Sequence, residues 1–210
     1  MADKVSTPAP GENKIERYVH PAFNGVIQLV DIIDLGLKAW VKPGTKAKLQ
    51  HRIAWVWRTG HKNPETGYYV DIAQEFANST FKNGSNSSPL RRVIESWTGK
   101  SSPDEELPSF DMSVLVGRFG YGAIVNSPGK KDASKVFAEL QTVIPVPQGM
   151  ALPSFEPYER AEFWADKKKK IAEEAAPYIR AAEQEKREQA QRGSALPQPA
   201  QGDGDDDLPF

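Results

Sequence analysis

Three strand-forming runs follow one another across gaps too short for a crossover, and this constrains the chain most. Gly25–Gly36, Lys48–Arg58 and Tyr68–Phe76 are each rich in β-branched and aromatic residues. Turn chemistry separates them: Lys42-Pro43-Gly44 in the first gap and Asn63-Pro64-Glu65-Thr66-Gly67 in the second. Parallel neighbours need a connection of about a dozen residues or more, so these runs predict an antiparallel meander. A helix follows, with Ser88 as its cap, Pro89 at its first position, and Leu90, Val93, Ile94 and Trp97 at helical spacing. Ser102–Glu106 looks like a second, single-turn helix start. Two more strands are expected over Met112–Asn126 and Val136–Ile144, joined as a hairpin through Ser127–Lys131.

The order β-β-β-α-β-β is that of a five-stranded OB-fold barrel, an all-β core with its helix between the third and fourth strands. A small barrel or sandwich of another topology fits the same strands. The ends of the chain differ from this core. Residues 1–13 lack periodicity and carry two prolines, which predicts a disordered arm before an OB-fold domain over 14–155. Residues 156–192 are rich in Ala, Glu and Lys and predict a helical extension. Within it Trp164, Ile171, Ala175, Tyr178 and Ala182 make a narrow apolar stripe, and Pro177 is expected to kink or divide the helix. Residues 193–210, built from Pro, Gly, Gln and Asp, predict a disordered acidic tail.

Charge follows the same division. The formal net charge is only −1, but residues 11–155 carry +3, residues 156–192 balance, and the tail carries −4 from four aspartates. The chain has no cysteine, which excludes disulfides, thiolate metal sites and a thiol nucleophile. No Walker-type phosphate loop is present, and Gly120-Tyr121-Gly122 inside a strand fits a bend or bulge better than a dinucleotide site. The three histidines, His20, His51 and His61, have no metal-ligand spacing. Neither an enzyme nor a cofactor is expected. No apolar run is long enough to span a bilayer, so no membrane partner is expected either.

What remains is a pattern suited to single-stranded nucleic acid: cations for phosphates, interleaved with rings for bases. Lys46, Lys48, Arg52, Arg58 and Lys62 interleave with Trp55 and Trp57, and Tyr68 and Tyr69 open the third strand. Alternation puts Leu49, His51, Ile53, Trp55 and Trp57 on one face and Gln50, Arg52, Ala54, Val56 and Arg58 on the other. One of these faces must be core, and the pattern leaves open which. Tyr68 and Tyr69 point opposite ways, so one of them is expected outside. Phe81, Lys82, Arg91, Arg118, Lys130 and Lys131 are further candidate contacts on loops and edges. For any single one of the basic residues, ordinary solvated charge is the better account.

The chain finishes in Asp205-Asp206-Asp207-Leu208-Pro209-Phe210. A ring and a carboxylate after an acidic run suit an apolar pocket with a basic rim on a partner protein. This hexapeptide resembles the acidic tip of bacterial single-stranded-DNA-binding proteins. Val26–Gly36, Gln50–Trp57, Val93–Trp97 and Phe110–Gly117 are similar instead to phage-encoded single-stranded-DNA-binding proteins. The resemblance implies an OB-fold that coats single-stranded DNA during replication, recombination or repair. It further implies recruitment of host or phage replication and repair proteins by the tip, a possible homo-oligomer, and a cytoplasmic place at the replication fork or nucleoid of a bacterial host. The helical extension and the Asn/Ser-rich stretch Asn78–Ser88 depart from the family's simplest pattern. Two rival readings remain: a protein-binding adaptor with an OB-like barrel, and a recombination protein that anneals strands.

Overall fold

A computed structural model describes residues 18–83, 86–101, 110–129 and 132–194, with side chains up to 191. The expected arm, the Ser102–Glu106 turn, Lys130, Lys131 and the acidic tail from residue 195 lie outside the described residues, while residues 193 and 194, expected in the tail, continue the C-terminal helix. Five strands form one antiparallel sheet: β1 (Phe23–Trp40), β2 (Lys48–Arg58), β3 (Ile72–Ala77), β6 (Phe119–Pro128) and β7 (Val136–Ile144). A separate two-residue ladder joins β4 (Lys82–Asn83) to β5 (Asn86–Ser87). Helix α1 (Pro89–Thr98) lies between β5 and β6, and α2 (Phe163–Ser194) follows β7. The sheet order is β3-β2-β1-β6-β7.

The first strand runs four residues past Gly36, because two bulges, near Val30 and Leu35, bend it without ending it. The third strand starts at Ile72 rather than Tyr68: the residues before it close a turn in which Asn63 N–H donates to the Tyr68 carbonyl at 2.8 Å. Met112–Leu115 is a single 3-10 turn capped by Asp111, so the strand expected from Met112 begins only at Phe119. Ser88 caps α1, accepting from the Arg91 N–H, and Gly99 ends the helix with φ at 67°. The helical extension starts at Phe163, not 156, and Pro177 lies inside a continuous helix.

The sheet does not close into the expected barrel. No backbone ladder joins β3 to β7 among the described residues. A single side-chain bond bridges them, Gln74 Nε2 donating to the Leu140 carbonyl at 3.3 Å. With six residues against nine, β3 is too short to pair along the whole of β7.

Two cores lie on opposite faces of the sheet. One side holds Ile27, Leu29, Ile53, Trp55, Trp57, Phe76 and Leu140, packed with Leu90, Ile94 and Trp97 of α1. Trp55, Trp57 and Trp97 meet edge to face or tilted, with centroids 4.9–6.1 Å apart. Gly120 and Gly122 face this core, and a Cβ on Gly120 would lie 2.7 Å from Trp97 Nε1. Those glycines therefore make room for side chains rather than for a ligand. The second core packs Ile33, Leu35, Ala54 and Val56 of β1 and β2 against Trp164 and Ile171 of α2.

Candidate nucleic-acid interface

The inward face of β2 is the tryptophan face. Trp55 and Trp57 are both 0% exposed. A base cannot stack on either without opening the core, which corrects their assignment as contacts. Arg91 is also removed from the candidate surface. It is buried in α1, its Nε donates to Glu95 Oε1 at 2.9 Å, and its backbone N–H completes the Ser88 cap.

Arg58 is buried as well. Its Nε and Nη2 donate to the two oxygens of Asp71, each at 2.9 Å, and Nη1 donates to the Glu156 carbonyl at 2.9 Å. The Tyr69 ring lies 4.1 Å from its guanidinium carbon. Burial opposes the charge on Arg58, but the Asp71 hydrogen bonds and charge outweigh it and hold the guanidinium above its ordinary pKa. Such a bidentate, stacked arginine fixes local structure and has little left to offer a phosphate.

Around Arg58 a groove of about 1020 Å³ opens between the β2–β3 connection, the start of β7 and the extended segment before α2. The nominated Tyr68 and Tyr69 line it with Tyr18, Phe137, Tyr158 and Phe163. Tyr68 is 77% exposed, whereas Tyr69 packs beneath Arg58 and Lys62. Gly67 at φ 72° turns the chain to present Tyr68. Lys62 Nζ donates to Glu156 Oε1 at 3.1 Å and sits 4.5 Å from the Tyr69 ring centre. The Glu156 hydrogen bond and charge hold the Lys62 ammonium above its ordinary pKa. Burial, followed by the nearby Asp31 and Asp71 charges, keeps the Tyr158 phenol protonated to higher pH than usual.

The other nominated residues do not join this groove's lining. Arg52 lies on the outer face of β2 near Glu75, at 4.0 Å. Burial would raise the Glu75 pKa, but Lys167 of α2, and more weakly Lys38 and Arg52, bring it below the ordinary value. Phe81 and Lys82 are exposed beside the β4–β5 ladder. Arg118 is exposed just before β6, its Nε donating to the Val114 carbonyl at 2.9 Å. Lys48 stands at the far end of the β1–β2 hairpin, directly across from Trp40.

Trp40 is the residue that reading the sequence missed. It is 57% exposed, with Val41 beside it and Lys38, Lys42, Lys46 and Lys48 around the hairpin end. The signal was present: a large ring immediately before the Lys42-Pro43-Gly44 turn, beyond the stretch of β1 needed to span a core. Phe137 and Phe163, both exposed, also went unnominated. Among the described residues no cluster of His, Asp and Glu is arranged to hold a metal ion, and no helix is long and apolar enough to cross a membrane.

Comparison with protein-family models, with curated proteins and with solved structures gives no match for this chain.

Proposed function

We propose that this protein binds single-stranded DNA through an OB-type sheet and recruits replication or repair proteins through its Asp205–Phe210 tip. The observation that carries the reading is strand order. In an OB barrel the first strand lies between the second and the fourth, the third and fifth form the seam, and the helix between the third and fourth strands plugs one end. Here β1 lies between β2 and β6, β3 and β7 are the two edges linked by Gln74, and α1 covers the open end of the Trp55–Trp57 core. An OB barrel opened at its seam accounts for all three. Exposed rings with lysines beside them, at Trp40 and Phe81, supply the stacking surface that sequence-tolerant binding uses. The resemblance of the tip and body to phage and bacterial proteins of this kind supports the same reading.

The test is direct. Labelled oligo-dT and a duplex of equal length are titrated with the full chain at low salt, with anisotropy as readout. Preference for the single strand is expected. Equal affinity for the duplex, or binding to neither, overturns the proposal.

One observation favours the adaptor reading. Both cations at the Tyr68 groove are already paired, Arg58 with Asp71 and Lys62 with Glu156, while Glu159 also lines it, a balance that suits a basic peptide better than phosphate. An adaptor gives no response to oligo-dT.

A further inference from the structure

We infer that the single strand is held chiefly on the β1–β2 hairpin, with Trp40 as the stacking ring, and not on the outer face of the sheet; this rests on the single-strand reading above. The outer face of β1 and β2 is already occupied. Trp164 and Ile171 of α2 cover Ile33, Leu35, Ala54 and Val56, and Lys167 pairs with Glu75 at the rim of that contact. Lifting α2 would uncover apolar side chains, which offer nothing to a phosphate backbone. At the Tyr68 groove the cations Arg58 and Lys62 are already paired with Asp71 and Glu156.

The hairpin has the opposite character. No acidic residue occurs between Asp34 and Glu65, a stretch that contains Lys38, Lys42, Lys46 and Lys48. Lys42 and Lys48 make no ion pair with a described residue. Among the described residues Lys46 pairs only with Glu185 of α2, at 2.9 Å, and its side chain remains largely exposed. Exposed pairs of this kind contribute little, so a phosphate can readily replace Glu185. Trp40 stands directly across from Lys48, and by alternation it shares a face with Lys38. A ring flanked by lysines on a two-stranded ribbon meets both requirements of single-strand binding. Helix α2 lies along β1 and reaches the hairpin end through the Lys46–Glu185 pair, so this surface is supported before a strand arrives.

Tryptophan fluorescence isolates the site. Of the five tryptophans, Trp55, Trp57, Trp97 and Trp164 are each no more than 5% exposed, leaving Trp40 as the one that a base can reach. The full chain is titrated with labelled oligo-dT, reading anisotropy and intrinsic fluorescence together. Trp40→Ala should weaken binding about 5- to 150-fold. Trp40→Phe should keep affinity within a few-fold while losing the DNA-induced fluorescence change. Lys42→Gln with Lys48→Gln should flatten the slope of log K against log salt by about 1.4. If the wild-type chain binds oligo-dT but Trp40→Ala stays within twofold of it, the hairpin placement is overturned and the functional reading stands. If the wild-type chain shows no binding at low salt, both fall.

Discussion

Removing Asp71 is the sharpest structural perturbation open to this protein. The Arg58 side chain is 6% exposed and that of Asp71 17%, and the bidentate pair between them supplies two of the three hydrogen bonds shown for the guanidinium. In Asp71→Ala the guanidinium keeps its charge and its burial but retains only the Glu156 carbonyl and the ring faces of Tyr69 and Tyr158. Breaking a buried pair by removing one partner costs about 3–5 kcal/mol. For a domain of roughly 150–250 residues each kcal/mol moves Tm by about 2–4 °C, so a fall of about 6–20 °C is expected. Thermal unfolding followed by circular dichroism measures the fall in Tm, and urea unfolding the loss in kcal/mol. The double variant Arg58→Met, Asp71→Leu should recover most of the loss, since replacing a buried ion pair by apolar groups of similar size is often close to neutral. A loss below about 1 kcal/mol in Asp71→Ala, or a double variant worse than the single, would refute the claim that Arg58 is a structural cation. If Arg58 were instead a phosphate contact, Arg58→Met would weaken oligo-dT binding while leaving Tm unchanged.

Three further outcomes are expected. His20 is buried, its Nδ1 donating to the Pro21 carbonyl and its Nε2 accepting from the Thr59 hydroxyl, each at 2.6 Å, and burial holds its pKa below the ordinary 6.5. The unfolded chain therefore takes up that proton first, so the stability linked to His20 is complete above pH 6.5 and is lost as pH falls below it; urea midpoints across pH 5–8 should show a slope that His20→Gln flattens, and a wild-type slope of the opposite sign contradicts the assignment. Gly120→Ala places a Cβ 2.5 Å from Val143 Cγ2 and 2.7 Å from Trp97 Nε1, so thermal melts should show a loss of about 1–3 kcal/mol, and an unchanged Tm rules out the close packing. Phe210→Ala should abolish capture of a replication or repair protein while oligo-dT affinity stays within about a few tenths of a kcal/mol; joint loss of both activities argues against separate sites.

Much of the sheet was legible because its signals are local. The β2 and β7 boundaries match the expected ones, since Val, Ile, Trp and Phe at alternating positions end abruptly at turn residues. Helix α1 was equally legible from Ser88, Pro89 and its apolar spacing. The failures have tertiary causes. Alternation identified two faces of β2 but could not decide which was interior, because both became cores: α1 covers the tryptophan side and α2 the Ala54–Val56 side. That second core depends on a helix more than a hundred residues away. The roles of Arg58 and Arg91 were hidden for a similar reason. A basic residue reads as surface until its partner is known, and Asp71 lies 13 residues from Arg58 while Glu95 sits one helical turn from Arg91. Trp40 stands alone in the sequence, outside any dense cluster of rings, so only its place before the turn marks it as a surface ring.

The salt dependence of oligo-dT binding tests the central claim most directly. If the protein holds a single strand through about three or four lysines around the β1–β2 hairpin, log K should fall with log salt at a slope of roughly −2 to −3. A titration series from about 50 to 300 mM salt, read by anisotropy with the full chain, gives that slope. A linear fall in this range, with duplex bound more weakly throughout, is the predicted result. An affinity that does not change with salt, or no measurable binding at the lowest salt, contradicts the account.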